Sequence, residues 1–485
     1  MQQPDLNKIT APCELAISFN LADGSCLACD EVVRVIPNKR LVCKGAWQQK
    51  AVYAKLFITD KAHLYALRDE IGVKHLLAAN IRTPNLLYSG EVSEINGYAL
   101  IFEAIENAQN AEKIWAGLNT NARLDLANKL VQELARHHNA GILQTDLYLK
   151  NFLVDDDTVY TLDGDGIRKY THLSQQQALR NLCVLLSKFD VLEIESWLPG
   201  LLNTYSEARA WQAAPDMALI RKMTNSHRQK ATSSYADRKV FRQCTDIAVY
   251  KDANAFTAVS SDFLDLDLPT TSQKLDRLFT SQNLLKNGNT CTVAKGEFNG
   301  QSIVIKRYNI KSFWHGVNRA LRQTRAAVSW ANAHRLKLLD IPTAKPVALI
   351  EDRKLGLKGK AYFLCEYIDA PDAAQFFAEC TDKNARSEAV KNIATLFYKL
   401  YLLRISHGDT KASNIKIVDN KPVLIDLDSM LQHNFTFTAL RAHARDLRRF
   451  MQNWKQAPAM YNAFVKAFKV VYADNVALKL AKISE

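Results

Sequence analysis

Two stretches of the chain repeat one spacing of chemically active side chains. Asp146 is followed five residues later by Asn151, and Asp409 by Asn414. About a dozen residues on, each leads to an acidic strand end, Leu162-Asp163-Gly164-Asp165 and Ile425-Asp426-Leu427-Asp428. Upstream, β-type segments end in lysine: Val52-Tyr53-Ala54-Lys55 and Ile303-Val304-Ile305-Lys306. This ordered set fits phosphoryl transfer, which needs positioning and charge neutralisation more than covalent chemistry. The first aspartate orients an acceptor hydroxyl and takes its proton. The asparagine and the later aspartate hold magnesium bridging the ATP phosphates, and the strand lysine holds the α- and β-phosphates. In the second copy these roles fall on Asp409, Asn414, Asp426 and Lys306, with Lys411 near the transferred phosphate. In the first they fall on Asp146, Asn151, Asp163 and Lys55. One Asp-x4-Asn alone carries little; the full set occurring twice carries much. A calcium loop at Asp163-Gly164-Asp165-Gly166 is excluded, because the third liganding position and the downstream glutamate are missing.

The elements that must position these residues also run in one order twice, an internal repeat. Each lysine strand leads into a helical stretch ending in Ile81-Arg82-Thr83-Pro84 or Ile341-Pro342-Thr343. Apolar strands follow and close on an acid, Tyr98-Ala99-Leu100-Ile101-Phe102-Glu103 and Tyr362-Phe363-Leu364-Cys365-Glu366. Apolar residues three or four apart then predict long helices over 124–138 and 390–403. After each comes a polar turn with Asp146 or Asp409, and two short strands. Asn299-Gly300, ahead of the second lysine strand, signals a hairpin. The expected fold class is α+β, with domains at 1–245 and 276–485 and a linker at 246–275. The basic cluster at 221–242 reads as a solvated surface.

The 485 residues are 48% hydrophobic and 23% charged, too apolar for a disordered or collagen-like chain and long enough for two to three domains. No apolar run approaches the roughly 18 residues that span a bilayer. The first residues carry acids where a secretory leader wants a basic start, so a cytoplasmic protein is expected. The nine cysteines are odd in number and scattered, and Cys26-Leu27-Ala28-Cys29 lacks a second pair. Reduced thiols are the better reading than a zinc site. Residues 1–250 hold 28 basic and 28 acidic side chains, while 251–485 hold 35 and 22, so the net +13 belongs to the second half. Within it, 301–350 contains nine basic residues and one acid, Asp340. Arg319, Arg322 and Arg325 form a stripe followed by Arg335, Lys337 and Lys345, with no acids for i,i+4 pairing. An anionic partner is expected on that stripe. Nucleic acid is disfavoured, since neither interleaved aromatics nor a recognisable binding module accompanies the cations.

His407-Gly408-Asp409-Thr410-Lys411-Ala412-Ser413-Asn414, with Ile425-Asp426-Leu427-Asp428, resembles the protein-kinase-like superfamily. Within it, the chain is most similar to the bacterial lipopolysaccharide kinases that phosphorylate heptose or Kdo sugars of the inner core. Ser329-Trp330-Ala331-Asn332-Ala333 and Arg445-Asp446-Leu447-Arg448-Arg449-Phe450 add to that resemblance. It covers nearly the whole chain as two tandem copies, clearer in the second. It implies two bilobal domains, each a small antiparallel-sheet N-lobe and a helical C-lobe, using ATP and Mg2+. Lys306 and Glu366, and Lys55 and Glu70, are the nucleotide-binding residues it implies. The implied acceptor is a core sugar of an anionic glycolipid, compatible with peripheral contact at the inner face of the inner membrane.

Each copy departs from the family pattern. Kinases pair the strand lysine with a glutamate on the next helix. Glu70 is placed for this in the first copy, but no glutamate lies between Glu297 and Glu351, and Ser329 and Trp330 occupy the register. The first copy has Gln144 for His407 and Gly164 for Leu427. The second copy, with His407, Lys411 and the basic surface, is expected to be the main catalyst, and the other a second site or a regulatory pseudokinase. The alternatives are a kinase of another small-molecule or protein acceptor, and a tandem pseudokinase scaffold in envelope biosynthesis. No Ala-Pro-Glu segment follows either magnesium aspartate, which argues against a protein acceptor.

Overall fold

A computed structural model describes residues 12–36, 38–93, 95–269, 271–288, 290–308, 323–354, 357–473 and 476–483. The chain divides into two compact units, 1–228 and 229–485, each mixing sheet and helix.

The first unit opens with a six-stranded antiparallel sheet in the order Cys13–Asn20, Cys26–Ile36, Arg40–Trp47, Lys50–Phe57, Gly97–Glu103, Leu86–Val92. Side chains alternate along Lys50–Phe57 as strand geometry requires. Val52, Ala54 and Leu56 enter one core with Leu27, Cys43 and Ile101. Phe57 faces the other way, onto Ala66 and Val73 of the helix Ala62–Ala78 and onto Leu100. Lys55 shares the parity of Phe57 and so points toward that helix. The rest of the unit is mainly helical: Thr120–Asn139, Gln175–Leu186 and Val191–Ala208 pack around Leu130, Leu134, Leu182 and Leu198. The hairpin Phe152–Asp155/Thr158–Thr161 and the short pair Ile142–Gln144/Ile167–Lys169 frame the polar turn.

The second unit repeats the layout. Its sheet has seven antiparallel strands, in the order Ile247–Lys251, Ala255–Ser260, Pro346–Lys354, Leu357–Glu366, Gln301–Tyr308, Cys291–Phe298, Leu284–Asn287. Ile303 and Ile305 enter its core with Leu364 and Ile350, leaving Lys306 and Tyr308 facing the helix Arg325–Leu338. The hairpin turn at Asn299 and Gly300 has φ of 47° and 75°, the left-handed pair that an Asn-Gly turn supplies. The helices Lys383–Leu402, Thr436–Gln452 and Pro458–Tyr472 follow, packed through Phe397, Phe450, Phe464 and Phe468.

Three expectations differ from the fold. Residues 246–275 are not a linker, because they supply two strands of the second sheet, and Val259 and Phe263 lie in its core. The first unit also ends earlier than 245. Residues after 228 pack with the second unit: Trp330 Nε1 donates to Val240 O (3.0 Å), and Arg335 pairs with Asp237. Nor is 221–242 simply a solvated surface. Arg228 is buried, its guanidinium donating to the carbonyls of Leu186 and Phe189.

Candidate active sites

The polar turns of the two units share one geometry. In the second, Asn414 Nδ2 donates to the backbone carbonyl of Asp409 (2.9 Å) and to its carboxylate (3.1 Å). In the first, Asn151 Nδ2 donates to Asp146 O (2.7 Å) and to its carboxylate (3.4 Å). The five-residue spacing closes this loop: one turn of 3-10 helix, Ala412–Asn414 or Leu149–Asn151, brings the amide back over the aspartate. Each asparagine carbonyl then receives the N–H of the residue before the next aspartate, Ile425 or Leu162. Asp426 and Asp163 both hold left-handed backbone, with φ of 62° and 69°. A non-glycine residue adopts that conformation at a cost of about 1–3 kcal/mol, commonly at functional sites.

The strand lysines meet these aspartates. Lys306 Nζ lies 3.2 Å from Asp426 Oδ1, and Lys55 Nζ lies 3.0 Å from Asp163 Oδ1. Burial opposes the charge of each ammonium, but the carboxylates outweigh it and hold both lysines above their ordinary pKa. Burial likewise pushes Asp426 and Asp163 upward, and the facing lysines reverse this, holding both below the usual carboxylate value.

The partner of Lys55 is not Glu70. Its ammonium sits 2.6 Å from Asp69 Oδ2, and Asp69 Oδ1 accepts the N–H of Gly164 at 2.9 Å. Helix phase is the reason. The buried stripe of Ala62–Ala78 runs Ala62, Ala66, Asp69, Val73, Leu76, and Glu70 stands about 100° off it. Glu70 instead pairs with exposed Lys74 and accepts from Ser89 Oγ (2.6 Å). Two glycines permit the approach: a Cβ on Gly72 would stand 1.9 Å from Gly164 O, and one on Gly164 2.0 Å from Asp69 O.

The second unit solves the same contact differently. Both helices end at a left-handed residue before isoleucine, Asn80 and Asp340. Counting back eleven residues from each places Ser329 where Asp69 stands, and counting back eight places Asn332 where Gly72 stands. Ser329 Oγ bonds the Tyr308 hydroxyl (2.8 Å), so among the described residues Lys306 has no acidic partner on this helix. Asn332 Nδ2 donates to the carbonyls of Leu427 and Met430, both at 2.9 Å. A side-chain bridge thus replaces the glycine pair.

Around Asp409 stand two cations, Lys411 Nζ at 3.2 Å and Arg449 Nε at 3.8 Å. Burial keeps His407 below its usual pKa, and its Nε2 bonds Ile425 O at 3.0 Å. Gln144 takes this place in the first unit, donating to Leu162 O at 3.4 Å. Asp446 holds the turn from below, accepting the N–H groups of His407 (2.6 Å) and Gly408 (3.1 Å). In the first unit Tyr148 stands where Lys411 does, and the Lys188 ammonium lies 3.8 Å from its ring centroid. Glu366 is half-exposed, with Lys345 Nζ 3.8 Å from its carboxylate.

Sequence reasoning missed Asp69 and Asp446 as turn-holding carboxylates, and the pairs Arg68–Asp165 (2.6 Å) and Arg325–Asp428 (2.5 Å) that brace both aspartate turns. The phase of the buried stripe would have selected Asp69. The expected anion-binding stripe is also revised. Arg319 and Arg322 lie outside the described residues. Arg325, Arg335, Lys337 and Lys345 are each paired with an acid from elsewhere in the chain: Asp428, Asp237, Asp262 and Glu366.

Residues 277–472 match the sequence model of the Lipopolysaccharide kinase (Kdo/WaaP) family. A 45-residue stretch is 49% identical to the 3-deoxy-D-manno-octulosonic acid kinase of Vibrio parahaemolyticus serotype O3:K6 (strain RIMD 2210633). That alignment covers 9% of this chain and 19% of the relative, so the chain spans about a fifth of its length. A solved structure of vaccinia related kinase 3 aligns over 47% of this chain and 94% of its own, at 11% identity and a TM-score of 0.30. Over residues 277–472, most of the second unit, the chain is thus similar to the lipopolysaccharide kinase (Kdo/WaaP) family.

Proposed function

We propose that the chain is an ATP-dependent phosphotransferase acting on a sugar hydroxyl of the lipopolysaccharide inner core, with the second unit as the main catalyst. The observation that carries this reading is the Asp409 turn, closed by Asn414 and flanked by Lys411, inside the segment that matches the family. Asp409 orients the acceptor hydroxyl and receives its proton. The acceptor oxygen bonds to the γ-phosphorus as the β–γ bridging P–O bond breaks, and ADP leaves with that electron pair. Lys411 neutralises the moving phosphoryl group and Lys306 holds the α- and β-phosphates, with Glu366 at the nucleotide end. Asp426 and the Asn414 carbonyl are hard oxygen donors, and Nδ2 of Asn414 is committed to Asp409, so its Oδ1 is the atom left for a cation. One carboxylate and one amide oxygen would suit Mg2+, which would supply charge neutralisation at the phosphates.

Both units read as bilobal kinase-like domains in tandem, supported by the element-by-element repetition of sheet, helix, turn and hairpin. A second reading, in which the first unit also transfers phosphate, is favoured by its complete Lys55–Asp69–Asp163 cluster. There Asp146 would orient the acceptor, with Asn151 and Asp163 on magnesium. No described helix is long and apolar enough to cross a membrane. We place the enzyme in the cytoplasm, working at the inner face of the inner membrane. The test compares Asp409→Asn with Asp146→Asn on purified core oligosaccharide. Loss of about 10²–10⁴-fold in rate is expected for Asp409→Asn. Full activity in that variant would overturn the assignment to the second unit, and an unchanged core phosphate content in cells lacking the chain would overturn the acceptor.

A further inference from the structure

The helix Thr436–Gln452 carries cations of another kind from the paired ones around Arg325. Phe437, Arg441, Arg445 and Arg448 follow one another at four, four and three residues, which places them on one face. All four are exposed. Among the described residues none of these three arginines forms an ion pair with an acid. The helix holds a single acid, Asp446, and that is buried and turned to the backbone of His407 and Gly408. Arg441 stacks on Phe437, its guanidinium carbon 4.1 Å from the ring centroid. Just before the helix, Leu431 and Phe435 are 56% and 72% exposed, and Phe437 is 60% exposed. Three large apolar side chains within seven residues therefore stand in solvent beside unpaired arginines.

We infer that this face, from Leu431 through Arg448, docks the protein on an anionic bilayer. The composition is that of an interfacial element, in which aromatic and aliphatic side chains enter the headgroup boundary while arginines meet lipid phosphates. Charge complementarity supports it: the half of the chain that bears the face carries the whole net +13. The last turn of the same helix carries Arg449, 3.8 Å from Asp409, so a membrane held against the helix lies near the acceptor end of the site. The choice of a bilayer over other polyanions rests on the glycolipid acceptor proposed above, and vesicle binding and turnover are read separately for that reason.

The experiment sediments the full chain with phosphatidylcholine vesicles, with and without phosphatidylglycerol, beside turnover on water-soluble delipidated core oligosaccharide. Binding is expected only when phosphatidylglycerol is present. Phe435→Ser/Phe437→Ser and Arg441→Gln/Arg445→Gln/Arg448→Gln should each lower it by about tenfold or more. Turnover on the soluble acceptor and the thermal transition should stay at wild-type level. Lys383→Gln/Lys421→Gln/Lys455→Gln, which removes three exposed charges elsewhere on the second unit, should bind as wild type. Equal loss in that control, undiminished binding by both face variants, or tighter binding to duplex DNA than to vesicles at physiological salt would each overturn the docking face. Vesicle binding without turnover would instead reject the acceptor and leave the face standing.

Discussion

Replacing Asp69 or its neighbour Glu70 by alanine separates two readings of the same helix. Asp69 is fully buried and holds both the Lys55 ammonium at 2.6 Å and the Gly164 N–H at 2.9 Å. Removing one member of a buried charge pair costs about 3–5 kcal/mol, because the partner is left in low dielectric. Asp163, 3.0 Å from the same ammonium, limits that loss, while the orphaned Gly164 N–H adds to it. For a unit of 228 residues, each kcal/mol shifts the midpoint by about 2–4 °C, so Asp69→Ala should lower the first unit's melting temperature by roughly 6–20 °C. Glu70 pairs with an exposed lysine four residues on, and such pairs contribute at most about 1 kcal/mol. Glu70→Ala should therefore shift the midpoint by no more than about 4 °C. Asp69→Asn keeps an oxygen for Gly164 and loses the charge, so it should fall between the two. The assay is calorimetry of the full chain, following the transition that moves. A larger fall for Glu70→Ala than for Asp69→Ala would refute both the phase argument and the assignment of the lysine's partner.

Three further outcomes follow from described contacts. Gly164→Ala puts a Cβ 2.0 Å from a backbone oxygen and should unfold the first unit or push its helix off the turn, read as loss of its melting transition. Asn332→Ala leaves the carbonyls of Leu427 and Met430 without their donor and should destabilise the second unit by about 2–4 kcal/mol in denaturant titration. Burial pushes the Asp446 carboxyl up to about 6 from 3.8, so between those values the native state keeps a proton that the unfolded chain has released. Its contribution is present below the unfolded value and is lost as pH rises through 6, roughly 3 kcal/mol in all. Denaturant midpoints of wild type and Asp446→Asn should diverge across that window, and superposable profiles would contradict it.

Much of the site could be read from the chain because its spacing is short and local. Asp-x4-Asn is one turn of 3-10 helix, and Asn299-Gly300 is a turn whose backbone only a few residue types favour. The first unit makes the equivalent turn with Gln48 and Gln49, at φ of 48° and 64°, and nothing in those residue types announces it. Long-range pairing was the harder part. The basic stretch around Arg325 looked unpaired because its acids, Asp237, Asp262 and Asp428, lie roughly 75 to 105 residues away in sequence and reach it only through the fold. The strands at 247–251 and 255–260 read as linker because the sequence there looks loop-like and the strand they join lies far along the chain. Ala255–Ser260 finds its sheet partner in Pro346–Lys354, about ninety residues on, and Ile247–Lys251 pairs in turn with Ala255–Ser260.

The glycine pair of one unit and the asparagine bridge of the other make the two copies poor donors of parts to each other. Leucine at 164 would collide with the helix backbone, and glycine at 332 would strip two carbonyls of their donor, so neither half of the contact can be exchanged alone. A chimaera that transplants the aspartate turn must carry its helix with it.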